Sequence, residues 1–171
     1  SFLLPMAVRR AQSKPRRMPR RPRALILAPP RELVSQIEES LRPIAEALGL
    51  TSRVVFGGVG QNPQVTAIRN GVDILLACPG RLEDLIGQGH VQLDAVEITV
   101  LDEADHMADL GFLPGVKRIM DRTPERGQRM LFSATLAAGG SGPVKRFPWL
   151  LYTSVASHQQ TRGDLGGGRI L

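Results

Sequence analysis

The 171-residue sequence has one cysteine, few aromatic residues and no long apolar run. Because Cys78 is the single cysteine, an internal disulfide and a cysteine-rich zinc site are both excluded, and the count suits a reducing cytoplasm. No stretch approaches the roughly 18 consecutive apolar residues that a membrane helix needs. Aromatic residues make up 4% of the chain, so we expect no platform for stacking nucleic-acid bases. The sequence therefore favours a cytoplasmic protein with no membrane partner.

The length fits one domain, and 42% hydrophobic residues are enough for one buried core. The formal net charge is +6, and residues 9–23 hold eight arginines and lysines and no acid. Such a run suits a polyanionic partner such as nucleic acid. A solvated, disordered basic linker has the same composition, and for a charge run alone it is the more frequent explanation.

Short apolar runs alternate with segments of helical periodicity along most of the chain. This alternation predicts an α/β fold, with a parallel sheet covered by helices on both faces. In such sheets, binding and catalytic groups lie at the carboxyl ends of the strands. The predicted strands are residues 24–28, 53–56, 73–77, 97–101 and 129–132, and the predicted helices are residues 32–48, 63–70, 81–86 and 115–122.

The longest predicted helix contains Pro43, which should kink or split it because proline removes a helical hydrogen bond. Gly49 should end the helix. Before the first strand, residues 1–12 are expected to finish a helix and residues 12–23 to form a proline-rich loop. The buried face of the longest helix is predicted from apolar residues at helical spacing, namely Leu33, Ile37, Leu41, Ile44 and Leu48.

Two adjacent acids, Asp102 and Glu103, open the tetrapeptide Asp-Glu-Ala-Asp directly after an apolar strand. A strand that delivers two carboxylates to its tip is typical of the magnesium and water apparatus of a nucleoside triphosphatase. Magnesium prefers oxygen ligands and keeps several waters, so one or two carboxylates suffice. The same acids would also suit the N-terminus of a helix, and the tetrapeptide alone does not separate the two interpretations.

Four further motifs follow predicted strands. Pro29–Leu33, Gly57-Gly58 and Pro79–Leu82 each combine a tight turn with a helix N-terminus, and two of them carry arginine. Helix N-termini and backbone amides bind phosphates, and arginine adds a bidentate contact. Three such turns suit a nucleic-acid backbone that is bound without regard to base. The fourth motif, Ser133-Ala134-Thr135, could hydrogen-bond the acidic segment.

In this order, the five motifs resemble those of the DEAD-box ATP-dependent RNA helicases, over roughly residues 1–147. Leu110-Gly111-Phe112 also fits that family. The resemblance implies a RecA-like domain of the P-loop NTPase type over residues 1–150, incomplete at its N-terminus. Residues 151–171 are expected to be a disordered tail because they are polar and rich in glycine.

The resemblance also implies ATP and Mg²⁺ as cofactors, RNA as a partner and a second RecA-like domain in the full-length protein. Asp102 would coordinate magnesium through water, and Glu103 would activate the attacking water. Asp105 would link to Ser133 and Thr135 and couple the state of the nucleotide to domain closure. The RNA backbone path would be lined by Pro29, Arg31, Glu32, Gly57, Gly58, Pro79, Gly80 and Arg81.

The sequence departs from the family pattern at several points. The 171 residues contain no phosphate loop of the Gly-x-Gly-Lys-Thr type. Pro30 and Cys78 stand where the family often has threonine, so two hydroxyl groups are missing. Cys78 itself could be a reactive thiol, although a half-buried, inert thiol is the more frequent case.

These departures lead to two expectations and two alternatives. The chain alone should not hydrolyse ATP. In RecA-like folds the strand before the phosphate loop lies within the sheet, so strand 97–101 should have an unpaired edge. One alternative is an RNA-binding module without catalysis. The other, an ATPase of helicase superfamily two that acts on DNA, is disfavoured by the spelling Asp-Glu-Ala-Asp.

Overall fold

The computed structural model describes residues 17–131 and the two-residue segment Ser154–Val155. Six strands form one parallel sheet in the order β2-β3-β1-β4-β5-β6, so the predicted α/β fold with a parallel sheet is confirmed. The strands are β1 Ala24–Leu27, β2 Ser52–Val55, β3 Ile74–Ala77, β4 Ile98–Leu101, β5 Gln128–Leu131 and β6 Ser154–Val155. The predicted helix within residues 1–12 lies outside the described residues.

Five helices are described, and one to six residues separate each of them from the strand or helix before it. They are α1 Arg31–Ala47, α2 Asn62–Arg69, α3 Pro79–Gly87, α4 Ala104–Asp109 and α5 Leu113–Asp121. Helix α4 was not among the predicted helices, although a helix N-terminus was one of the two interpretations of the acids that open it. No helix in this part of the chain is long and apolar enough to span a membrane.

The central strands of the sheet are apolar except for Thr99, and the sheet is buried on both faces. All four residues of each of β1, β3 and β4 are buried. One face packs against buried side chains of α2, α3, α4 and α5. The other face packs against α1. Helices therefore cover both faces of the sheet, as the alternating sequence pattern predicts.

Helix α1 differs from its prediction in two respects. It continues as one helix through Pro43, so the expected split is wrong. The helix tolerates Pro43 because this residue lies on its exposed side, where water can solvate the carbonyl group that loses its amide partner. Its buried face is also centred elsewhere, because Val34 and Ala45 are fully buried whereas Leu48 is 38% exposed. Gly49 has a left-handed φ of 69°, which agrees with its predicted role in ending the helix.

Strand β4 does not have the unpaired edge that the sequence suggested. It pairs with β1 on one side and with β5 on the other, over four residues each. The outer edge of β5 is the sparsely paired one, because only Met130 and Leu131 pair with β6. Both neighbours of β4 are thus strands of this chain. Strand β6 falls within residues 151–171, the segment expected to be disordered.

Candidate nucleic-acid interface and active site

The carboxyl ends of the strands form one edge of the sheet, here called the carboxyl edge. Leu27 is in register with Ala77 and with Leu101, and Val55 is in register with Ala77. Leu101 is in turn in register with Leu131. The ends of β2, β3, β1, β4 and β5 therefore follow one another along this edge in that order.

The turn after β1 leads directly into α1. Pro29 is buried, whereas Arg31 and Glu32 are exposed in the first turn of the helix. Pro30 is the N-cap residue with an extended backbone, and its carbonyl group accepts a hydrogen bond from Val34 at 3.3 Å. The Arg31 guanidinium lies over the ring of Phe56, 4.8 Å from its centroid. A cation over an aromatic face is held there by the ring quadrupole, so this turn is tied to the loop after β2.

The loop after β2 is rich in glycine and exposed. Gly57 and Gly58 are both exposed, and Gly58 has a left-handed φ of 80° that favours glycine. At Gly57 an added Cβ would meet no atom within 4 Å. Gln64 of α2 donates a hydrogen bond from its side chain to the Phe56 carbonyl group at 3.1 Å. The start of this loop is therefore fixed, while its surface is open.

The segment Pro79–Arg81 lies inside α3, which begins two residues before its predicted start. Proline suits a first helical position, because the missing amide would have no partner there. Pro79 is buried, and Gly80 is exposed with open space around an added Cβ. The Arg81 guanidinium donates to the Gln64 side-chain oxygen at 3.0 Å and to the Val59 carbonyl group at 2.8 Å. Arg81 thus joins the helix to the glycine loop.

The acids of the predicted active site lie at the tip of β4. The Asp102 amide donates to the Leu27 carbonyl group at 2.8 Å, which fixes this tip against β1. The Asp102 side chain is half-buried and accepts a hydrogen bond from the Glu103 amide at 2.9 Å. Glu103 is exposed and left-handed, with φ 50° and ψ 49°, a conformation that residues other than glycine rarely adopt. Strain of this kind occurs often at functional sites.

Helix α4 begins immediately after Glu103, with Asp105 in its first turn. The acids therefore both end a strand and open a helix. This geometry agrees with a magnesium and water site and also with acids that favour a helix N-terminus. Ser133 and Thr135, the predicted partners of Asp105, lie outside the described residues. In the described part of the chain no three potential ligands among histidine, cysteine, aspartate and glutamate gather in one place. Carboxylate oxygens at one strand tip still fit magnesium bound mainly through water.

The described part of the basic run, residues 17–23, lies at the amino edge of the sheet. Arg17 pairs with Asp73 at 3.3 Å, Arg21 pairs with Asp94 at 3.5 Å, and the buried Arg23 pairs with Glu97. Asp73 and Glu97 directly precede β3 and β4, so these pairs lie at the amino edge of the sheet, opposite the carboxyl edge. Three cations of the run are thus occupied by acids of the same domain, and residues 17–23 form an ordered loop rather than a disordered linker.

Cys78 is the N-cap residue of α3 and is half-buried. Burial, together with the nearby Glu32 carboxylate, raises the pKa of its thiol to about 11, against the smaller, opposite effect of Arg31. A thiol with so high a pKa is almost entirely protonated at neutral pH. Its chemistry agrees with the inert interpretation of this cysteine.

Phe56 and Gln64 are the residues of this edge that sequence reasoning missed. Gln64 is a polar residue at a half-buried position of α2, and its partners are separated from it by eight and 17 residues. Neither helical periodicity nor motif spacing reports such contacts. The one feature of the sequence that could have indicated these contacts is the amide side chain of Gln64 on the inward side of a short amphipathic helix.

Comparison with known proteins finds ATP-dependent RNA helicases among the relatives of this chain. ATP-dependent RNA helicase RhlB of Proteus mirabilis (strain HI4320) is 46% identical over 118 residues, which cover 68% of this chain and 27% of the relative. The protein of the same name from Escherichia coli O1:K1 / APEC is 48% identical, with 68% of this chain and 28% of the relative covered. The chain thus spans less than a third of the length of these curated relatives.

Solved structures agree with the predicted RecA-like fold. The yeast DEAD-box splicing factor Prp28 superposes with a TM-score of 0.72 and 31% identity, covering 81% of this chain and 35% of that protein. A hypothetical ATP-dependent RNA helicase from Sulfolobus tokodaii also gives a TM-score of 0.72, with 29% identity over 91% of this chain and 43% of its own. The family model for DEAD/DEAH box helicases matches residues 1–139. The chain therefore belongs to the DEAD/DEAH box helicase family.

Proposed function

We propose that this chain is the part of an ATP-dependent RNA helicase that carries the RNA backbone path and the acids of the ATPase site. The observation that supports this most strongly is the order of loops along the carboxyl edge. The three loops expected to bind RNA follow the neighbouring strands β2, β3 and β1, and the two acids follow the next strand, β4. One continuous surface can then hold an RNA strand beside a nucleotide.

The RNA path would bind phosphates rather than bases. Helices α1 and α3 begin at this edge, so their first amide groups and the positive ends of their dipoles face a ligand there. Arg31 and Arg81 add two charges at the same place. Gly57 and Gly80 leave room for a backbone to approach closely, since an added Cβ at either would meet nothing in the protein. Such a surface should bind single-stranded RNA without strong sequence preference and with marked salt dependence.

The acids would serve ATP hydrolysis. Asp102 would hold magnesium through water, and magnesium would neutralise the developing charge on the phosphates. Glu103 would orient the attacking water or accept its proton, a contribution of roughly 10²–10⁴-fold in rate. Asp105, Ser133 and Thr135 would couple this site to closure against a second RecA-like domain. The relatives' name, ATP-dependent RNA helicase, supports this assignment.

The 171 residues themselves contain no Gly-x-Gly-Lys-Thr-type loop, so we expect the chain alone to hydrolyse no ATP. A protein that binds RNA without catalysis would share the RNA path. Restoring a phosphate loop and a second domain separates the two proposals. RNA-stimulated ATP hydrolysis that is lost in Glu103→Gln supports the helicase, and RNA binding without hydrolysis supports the module.

Two glycines of α3 provide a test of the RNA path. Gly80 and Gly87 are both exposed, lie at opposite ends of the same helix and leave open space for a Cβ. Alanine at either position should leave the unfolding free energy unchanged or raise it by up to about 1 kcal/mol, because alanine favours helix. At Gly80 alone the new methyl group would obstruct the RNA, and overpacking of one contact costs about 1–3 kcal/mol.

We therefore expect Gly80→Ala to weaken binding of labelled oligouridine about fivefold or more, an effect at the lower end of that range. Gly87→Ala should bind as the parent does. Fluorescence anisotropy at two salt concentrations measures both, and urea denaturation checks that each variant is folded. Equal RNA affinity in the parent and Gly80→Ala, or equal losses in both variants, would remove this helix end from the path.

A further inference from the structure

The glycine loop after β2 is held at both ends by side chains that come from α2 and α3. Gln64 donates to the carbonyl group of Phe56, just before Gly57, at 3.1 Å. Arg81 donates to the carbonyl group of Val59, just after Gly58, at 2.8 Å. The two exposed glycines thus lie between two fixed carbonyl groups.

Gln64 also connects the two clamps. Its amide nitrogen is used by the Phe56 carbonyl group, and its amide oxygen accepts a hydrogen bond from Arg81 at 3.0 Å. Both ends of one side-chain amide are therefore engaged, which fixes its orientation. Two N–H groups of Arg81 serve these contacts, and a guanidinium has five, so donors remain for a phosphate. The ring of Phe56 in turn lies under the guanidinium of Arg31.

We propose that Gln64 is a positioning residue of the RNA path, which joins the glycine loop, Arg81 and, through Phe56, Arg31 into one preformed phosphate-binding surface. This inference rests on the proposed function and deepens it. Glycine-rich loops lose the most backbone freedom when they become ordered. A loop that is ordered before RNA arrives avoids that loss at binding, and preorganisation of this kind raises affinity without any new contact.

Two variants remove the amide in different ways. Gln64→Ala deletes both hydrogen bonds, and Gln64→Met deletes them while keeping the length of the side chain within α2. Gln61→Ala is the matched control, because Gln61 also exchanges two side-chain amide hydrogen bonds, here with Gln88. Those bonds join α2 to the far end of α3 and touch no carbonyl group of the glycine loop.

The first measurement needs no RNA. Backbone ¹⁵N relaxation reports order on the fast timescale, where rigid segments give order parameters of about 0.85 and flexible ones less than about 0.6. We expect the order parameters of Gly57, Gly58 and Gly60 to fall in Gln64→Ala and Gln64→Met, while the strands and Gln61→Ala stay as in the parent. A purely structural role of Gln64 in α2 would lower stability without this local change. Unchanged loop order in both Gln64 variants would overturn the proposal.

The second measurement is the affinity for labelled single-stranded oligouridine. We expect both Gln64 variants to bind about tenfold more weakly, which corresponds to 1.4 kcal/mol, and Gln61→Ala to bind as the parent does. A disordered loop with parental RNA affinity would show that order in the loop adds nothing to RNA binding, and so would overturn the positioning role alone. A parent chain that binds no RNA at any salt concentration would instead defeat the proposed function, and this inference with it.

Discussion

Replacing Glu103 by glycine and by alanine isolates the cost of its left-handed backbone. The residue has φ 50° and ψ 49°, and its side chain is exposed, so either change removes little packing. A left-handed conformation costs an L-residue about 1–2 kcal/mol, and glycine avoids this cost. Glycine also loses more entropy on folding, by about 0.5–1 kcal/mol relative to alanine. Glu103→Gly should therefore be at least as stable as Glu103→Ala.

Glu39, exposed on helix α1, is the matched control, because it has the same side chain in an ordinary helical conformation. There the glycine variant should be less stable than the alanine variant by about 1 kcal/mol. The entropy of glycine is common to both positions and cancels in the comparison. The glycine-minus-alanine difference in unfolding free energy at Glu103 should therefore exceed that at Glu39 by about 1–2 kcal/mol.

Urea denaturation of the four variants measures this difference directly, provided that the slope with denaturant stays constant. The same preference for alanine at both positions would refute the argument that Glu103 is strained. The expected difference would mean that the tip of β4 carries an acid at a position where glycine would make the protein more stable. That is expected of a residue kept for chemistry rather than for the fold.

Two further predictions concern titrating groups. Burial raises the pKa of Glu38, but hydrogen bonds from Arg42 and Ser52 outweigh this effect and lower the pKa overall. The ionised carboxylate therefore stabilises the fold at pH values above its ordinary pKa of 4.5. That contribution is lost as the pH falls through the lowered pKa. Glu38→Gln should then lower the unfolding free energy, measured by urea denaturation, by about 1–3 kcal/mol at pH 7 and by progressively less as the pH falls below 4.5. The control, Glu39→Gln at an exposed position, should change the unfolding free energy little. A loss that does not depend on pH would be inconsistent with this. Cys78, with a pKa of about 11, should react with iodoacetamide at pH 8 roughly a hundredfold more slowly than the cysteine of an unstructured peptide. Its reaction should become faster as the pH rises towards 11. A rate close to that of the peptide at pH 8 would contradict the burial argument.

The apolar strands and the loop motifs were predictable from the sequence because each depends on adjacent residues. The runs at 24–28, 73–77 and 97–101 read as buried strands, and the structure places β1, β3 and β4 within them. Parallel pairing then brings the loops that follow to one edge by geometry alone. The sequence alone therefore predicts that Asp102, Arg31 and Gly80 lie along the same edge of the sheet.

Features that depend on residues far apart in the sequence were not predictable. The pairing of Arg17 with Asp73 spans 56 residues, and it makes the described part of the basic run, residues 17–23, part of the fold at the amino edge. The link from Gln64 to Arg81 spans 17 residues and joins two helices. Charge counting and periodicity contain no information on which partner a side chain meets. The continuous helix through Pro43 also depends on distant residues, because proline is tolerated there only if that side of α1 faces water and not the sheet.

The most direct test of the RNA path maps bound RNA onto the two edges of the sheet. Amide ¹H–¹⁵N spectra of the chain should be recorded while a short single-stranded oligouridine is added. The account predicts that the signals of Arg31, Gly58 and Gly80 at the carboxyl edge shift, and that raising the salt concentration reverses these shifts. The signals of residues 17–23, of whose four arginines three are paired with acids, should stay in place. Shifts confined to residues 17–23, with the carboxyl edge unchanged, would contradict the account.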